Sequence, residues 1–282
     1  MFGSFCVSAT LDKLKERRRD NSNPNLKIFL SVGGPADSAT ISTIARDASK
    51  SHAFARAAAR TLRSSGLDGL DIIYQQKAGL EPAKFFSFIQ RVLVTRLVDI
   101  VNVAAYDFAG TDRKSISHPS PTTLGPVGLP QIYNMESFLD LWLKRGFQKS
   151  KLVVGLPFYG HGWLLDDSTN HDLGSAARQW ITASAYTSEQ GTWPYFEICE
   201  RIKQDTATNF FDSSIQASYA YTDAWWIGYD DVKTIRTKTN WARLHGFGVY
   251  AWDVSQDDFR NVCGGGKNPL LNAIKEEMNK SQ

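Results

Sequence analysis

Four apolar runs in this chain end the same way. LKIFLSVGG, LDGLDIIYQ, VDIVNVAAYDF and FGVYAWD each lead a short β-prone stretch into polar, glycine or aromatic residues. Short apolar runs with such ends suit buried parallel strands opening into loops. Helical patterns lie between them. Residues 40–64 are Ala-rich with apolar positions at Ile41, Ile44, Ala48, Phe54, Ala58 and Leu62, and residues 84–94 and 135–145 read as two more helices. Strands alternating with helices predict a parallel α/β architecture. In a (β/α) barrel the C-terminal strand ends form the face that carries the chemistry. Four such ends in one chain therefore predict a site.

The pattern changes after Trp163. Up to about residue 230 there are short aromatic strands, polar turns and one helix around WPYFEICERIK. The α/β pattern resumes with DVKTIRTKTNWARLHG and FGVYAWDV, and PLLNAIKEEM closes as a helix. Residues 1–162 and 231–282 thus read as a partial barrel, and 163–230 as an α+β insertion. A net charge of +3 gives no case for nucleic acid or an anionic membrane. No run approaches the roughly 20 apolar residues that span a bilayer. In MFGSFCVSATLDKLKERRRD the basic residues follow the apolar stretch, which is not the order of a signal peptide. Leu11 to Asp20 reads as an exposed charged helix, with KERRRD a solvated face. Cys6, Cys199 and Cys263 allow at most one disulfide and have no metal-ligand spacing. Gly33 and Gly34 read as a tight strand-to-loop turn, because the Lys-Ser/Thr of a phosphate loop is absent. No metal or organic cofactor is expected.

In order along the chain, these motifs resemble the glycoside hydrolase family 18 chitinases and chitinase-like proteins. LKIFLSVGG resembles the family's third-strand S-x-G-G, and LDGLDIIYQ its fourth-strand D-G-x-D-x-D-x-E. VDIVNVAAYDF is similar to the sixth strand with M-x-Y-D, KLVVGLPFYGHGW to the seventh, and FGVYAWDVSQDD to the eighth. The stretch containing WPYFEICERI and AYTDAWWIGYDD resembles the family's insertion domain. The resemblance implies a TIM-barrel (β/α)8 type fold. Strands one, two and five have no counterpart here, and only 25 residues separate Gln75 from Val101. A truncated product of a longer chitinase is therefore one open alternative.

In a strand, residues two apart face the same way, so Asp71, Ile73 and Gln75 share one face. The resemblance implies a substrate-assisted mechanism on that face. Asp68 and Asp71 match the signature's first two aspartates, but Ile73 stands at the third and Gln75 at the catalytic glutamate. Asp68 reads as a buried structural carboxylate. An amide cannot deliver the proton, and loss of a positioned acid costs about 10² to 10⁴ in rate. The ligand-holding positions are better kept. Trp252 matches the floor tryptophan, Tyr106 and Asp107 the pair that contacts the N-acetyl group and hydroxyls, and Tyr159 a groove tyrosine. Ala104 replaces the methionine, and His161 an arginine often found there. Of Trp225, Trp226 and Tyr229 one is expected to touch sugar, with Trp226 and Tyr229 the candidates. The expectation is a monomeric, extracellular chitin- or chitooligosaccharide-binding protein without hydrolysis. The alternative is weak hydrolysis of β-1,4-N-acetylglucosamine linkages with Asp107 or Asp71 substituting as the acid.

Overall fold

The structure is a computed structural model that describes residues 7–20, 23–34, 37–73, 99–108, 114–125 and 134–281. It divides into two compact units, Met1–Leu97 and Val98–Gln282.

The first unit runs α1 (Val7–Arg19), β1 (Phe29–Gly33), α2 (Ser38–Arg46), α3 (Ala48–Ser65) and β2 (Gly69–Ile73). β1 and β2 are parallel partners, with Phe29 opposite Gly69 and Gly33 opposite Ile73. The single helix expected over 40–64 is two helices. Asp47 interrupts it with extended backbone, and its carboxylate accepts the Lys50 N–H at 3.0 Å as the N-cap of α3. Aspartate favours that capping geometry over a helix interior. Asp68, expected to be buried, is exposed; its structural role holds, since it accepts the Ile28 N–H at 2.8 Å, pairs with Arg18 at 2.8 Å and has Lys27 at 3.6 Å. The Ile28 hydrogen bond first, then these two cations, hold its carboxyl below the usual range. The glycine at the end of β1 is required by space, since a Cβ on Gly33 would lie 2.2 Å from the Ile73 carbonyl oxygen.

The second unit holds two sheets. β3 (Val101–Val103), β4 (Leu152–Pro157) and β11 (Gly248–Trp252) form a parallel sheet in the order β11–β4–β3. Its central strand, LVVGLP, buries Leu152, Val154 and Leu156 completely; being two apart, they form one fully covered face. α4 (Met135–Lys144) precedes β4, with Asn134 and Ser137 forming a reciprocal capping box. Between β4 and β11 the chain builds a six-stranded antiparallel sheet. Its strands are β5 (Tyr159–Leu165), β6 (Ala177–Trp180), β7 (Thr192–Pro194), β8 (Thr208–Asp212), β9 (Ala217–Tyr221) and β10 (Trp225–Tyr229). They run β6–β5–β10–β9–β8, with β7 also paired to β5. α5 (Tyr195–Gln204) follows β7, α6 (Val232–Leu244) follows β10, and α7 (Pro269–Met278) packs on α6. The five parallel strands are the ones expected from sequence, and the fold is of the (β/α) barrel type. The helix expected over residues 84–94 lies outside the described residues.

A buried polar cluster ties residues 114–125 to this unit. Lys238 Nζ donates to both Asp230 oxygens, at 2.6 and 2.7 Å, and to Ser120 Oγ at 3.0 Å. Both charged side chains are almost wholly enclosed. Burial raises the Asp230 pKa and lowers that of Lys238, with each charge opposing the shift of the other. His118 accepts the Ser120 N–H on Nδ1 at 3.0 Å, and its Nε2 lies 2.8 Å from the Ser218 carbonyl. Those partners fix a neutral ring with the proton on Nε2. Burial first, then Lys238, bring its pKa down to about 3. Cys199 in α5 and Cys263 ahead of α7 form a disulfide across 64 positions. Cys6 lies outside the described residues.

Candidate functional site

The parallel sheet delivers three strand ends to one place. β3 leads into Ala104, Ala105, Tyr106 and Asp107; β4 turns through Phe158 into β5 at Tyr159; β11 ends at Trp252. Main-chain bonding joins the last two, since the Phe158 N–H donates to the Trp252 carbonyl at 2.9 Å.

Asp107 is the centre of the cluster. Its backbone is in the left-handed region, φ 57°, a conformation that aspartate tolerates better than most residues. Oδ1 accepts the Tyr159 hydroxyl at 2.8 Å and lies 2.9 Å from His161 Nε2. Its side chain is 47% exposed and that of His161 is 15% exposed. Burial, and next the Asp107 charge, push the Tyr159 phenol well above its ordinary pKa, so it remains a neutral donor.

Tyr106 and Tyr250 meet across the central strand, hydroxyl to hydroxyl at 3.1 Å. Gly155 of β4 makes room for them: a Cβ there would lie 2.5 Å from the Tyr250 hydroxyl and 2.6 Å from the Tyr106 ring. Burial first, then Tyr250, raise the Tyr106 pKa. The Tyr106 ring stands edge-on to Tyr159, with centroids 6.2 Å apart. Trp252 is 41% exposed, and the peptide bond that follows it is cis. Ala104 is exposed beside them. The arrangement is a fixed carboxylate, a buried phenol at Tyr159, a half-buried one at Tyr106 and an exposed indole, which suits a ligand with hydroxyl donors and a flat apolar face.

In the first unit Ser31 and Asp71 are cross-strand partners, and Ser31 Oγ donates to Asp71 Oδ2 at 2.7 Å. Ile73 is half-buried at the end of β2. Gln75 lies outside the described residues.

Two expectations need correction. Trp226 is fully enclosed, packed with Trp163, Ile116, Leu165 and Ala177. Tyr229 is 2% exposed, with its hydroxyl on Asn209 at 3.0 Å. The cause is the position of β10 inside the sheet. Trp226 faces Trp163 on one side, while Trp225 and Tyr229 meet Trp193 and Tyr195 on the other. Every residue of β10 is buried, so neither ring faces a groove. Half-buried Trp180, 6.1 Å from the His161 ring, is the insertion tryptophan near the cluster. Tyr250 was also missed, although it lies two residues before Trp252 on the same strand and so shares its face.

The family described as "Glycosyl hydrolases family 18" matches residues 8–94 and 93–257. The chain is 31% identical to an endochitinase of Brugia malayi, over 96% of this chain and 60% of that protein. It is 27% identical to chitotriosidase-1 of Mus musculus, covering 91% and 64% of the two chains. It thus spans less than two thirds of the length of either relative. Among solved structures it resembles the Group IV chitinase of Ostrinia furnacalis, with a TM-score of 0.87, 23% identity, and 96% of this chain and 84% of that one covered. It also resembles human YKL-39, described as "a pseudo-chitinase with retained chitooligosaccharide binding properties", with a TM-score of 0.84, 25% identity, and 96% and 85% covered.

Proposed function

Because the chain belongs to glycosyl hydrolase family 18, we propose that it holds chitooligosaccharides in a groove and does not cleave them. The observation that carries this reading is the contrast between two sets of positions. The ligand-holding set is intact and built: Asp107 is fixed by Tyr159 and His161, Tyr106 is fixed by Tyr250, and Trp252 is exposed. The proton-donating set is not, since Ile73 and Gln75 stand where the family signature has aspartate and glutamate. YKL-39, described as a pseudo-chitinase with retained chitooligosaccharide binding, supports the same combination.

In this reading Trp252 stacks on a sugar face, Tyr106 and Asp107 take the N-acetyl group and a hydroxyl, Tyr159 supports Asp107, and Ala104 lines the floor. In sequence, Asp71 stands at the signature's second aspartate and Gln75 at its catalytic glutamate. Residues 163–230 form an insertion domain that walls the groove, and residues 1–162 with 231–282 form a partial barrel. The site of action is extracellular and the protein works as a monomer. The Cys199–Cys263 disulfide supports that address, because disulfides persist in oxidising compartments.

Titration with chitin hexasaccharide, followed by tryptophan fluorescence, tests the binding half, with cellohexaose as the control lacking N-acetyl groups. A saturable change specific to the chitin oligomer is expected, and no response in a cooperatively folded protein overturns the reading. A fluorogenic chitobioside tests the other half. The wild type should be inert, and Gln75→Glu combined with Ile73→Asp should gain turnover. Wild-type turnover that Asp107→Ala abolishes would make the protein a weak chitinase instead.

A further inference from the structure

Resting on the reading that an oligosaccharide occupies this groove, we propose that His161 is a positioning residue. Oriented by Thr192, it fixes Asp107 so that the carboxylate meets the ligand through Oδ2 alone. Both Asp107 hydrogen bonds among the described residues fall on Oδ1, one from Tyr159 and one from His161. Oδ2 is left as the open acceptor on a side chain that is 47% exposed. It can accept only a donor, so the group it takes is a sugar hydroxyl or an amide N–H.

The orientation of the imidazole is built from the far side. His161 and Thr192 are direct cross-strand partners on β5 and β7. Thr192 Oγ1 lies 3.1 Å from Nδ1, while the Gly191 carbonyl, 3.4 Å away, would accept from Nδ1 only in a ring protonated there. Thr192 is 4% exposed, so its hydroxyl has no solvent to turn towards. Since the carboxylate only accepts, Nε2 carries the proton, and in the neutral ring Nδ1 then accepts the threonine hydroxyl. Across β5 the residue opposite His161 is Gly228, which has no side chain to push the ring. Trp180 limits it from the third side. The relay runs from Thr192 to His161 to Asp107, and it holds a carboxylate whose backbone is in the left-handed region.

The test compares the full chain with His161→Leu, His161→Gln and Thr192→Val, reading chitotetraose affinity and thermal midpoint together. His161→Leu should bind roughly 10-fold more weakly with little change in midpoint, as expected for losing a hydrogen bond to a charged group. His161→Gln should recover most of that loss, because its amide can donate to Oδ1. Thr192→Val should show a smaller loss. Affinity in His161→Leu equal to wild type, or no recovery with glutamine, overturns the proposal. A ligand-free readout separates this from the wider reading. Nitrogen-15 spectra of the neutral imidazole should show His161 as the Nε2–H tautomer in wild type and lose that preference in Asp107→Asn. A ring of mixed tautomer in wild type overturns the positioning role whether or not any sugar binds. Wild-type failure to bind chitotetraose, with the tautomer fixed, overturns only the ligand reading.

Discussion

Tyr106 lies three residues past β3 and Tyr250 lies on β11, two strands that do not pair, and their hydroxyls meet at 3.1 Å over the bare backbone of Gly155. The contact spans the width of the parallel sheet at the level of the site. It makes one glycine a determinant of where two phenols sit.

Gly155→Ala should therefore damage the site more than a surface substitution would. The new methyl meets two rings within 2.6 Å, and overpacking of this kind costs about 1–3 kcal/mol. Calorimetry should show a lower thermal midpoint, and fluorescence titration a weaker response to chitin oligomer. An unchanged midpoint would mean that the rings move aside freely.

Trp252 and Trp226 should separate binding from folding. Trp252 is 41% exposed and Trp226 fully buried. Trp252→Ala should lose oligosaccharide affinity by about 2 kcal/mol or more, the scale of an aromatic anchor, with little change in midpoint. Trp226→Ala should cost about 3–5 kcal/mol of stability through the cavity it leaves. Urea unfolding of the two variants checks both directions at once.

His118 makes stability depend on pH in a defined direction. Its pKa falls from an ordinary 6.5 to about 3 on folding. Between those values the unfolded state binds the proton and the folded state does not. Stability from this group is present in full above pH 6.5 and is lost as pH falls towards 3. The slope approaches 1.4 kcal/mol per pH unit. Urea midpoints measured across that window should fall for wild type and flatten in His118→Gln relative to it.

Reduction of the Cys199–Cys263 disulfide, or Cys263→Ser, should lower stability by about 2–4 kcal/mol, the typical effect of opening a loop of this length. The variant should be insensitive to dithiothreitol, and wild type with reductant should unfold where the variant does. A shift of the variant by reductant would point to a different pairing.

Much of the fold was legible because parallel strands advertise themselves as continuous apolar runs. All five described parallel strands coincide with runs visible in the sequence, and α4, α5, α6 and α7 with helical patterns. The break at Asp47 was not read, although an aspartate ahead of Lys50 is an ordinary capping signal. Tyr106, Asp107 and Tyr159, which the structure brings together, are legible as motifs at strand ends. Trp226 and Tyr229 were misplaced because an aromatic run does not say whether its strand is central or at an edge. Only the pairing order, which buries β10 between β5 and β9, decides that. The link between His161 and Thr192 depends on the register of β5 with β7, a pairing across 31 positions that no local pattern encodes.

The polar cluster around Ser120 also sets an order of events in synthesis. His118 is bonded to Ser218, 100 positions on, Thr122 to Gln216, 94 on, and Ser120 to Lys238, 118 on. None of these partners exists when residues 114–125 leave the ribosome. Contacts of such separation close late, after the loop entropy between them has been overcome. Bonds to residues 135–136 and 174–177 can form earlier, but the Ser120 contacts with Lys238 close only after α6 has been made. A nascent chain stalled before residue 238 would carry Tyr106, Asp107, Tyr159 and His161 but neither the Lys238 tether nor the Trp252 strand end.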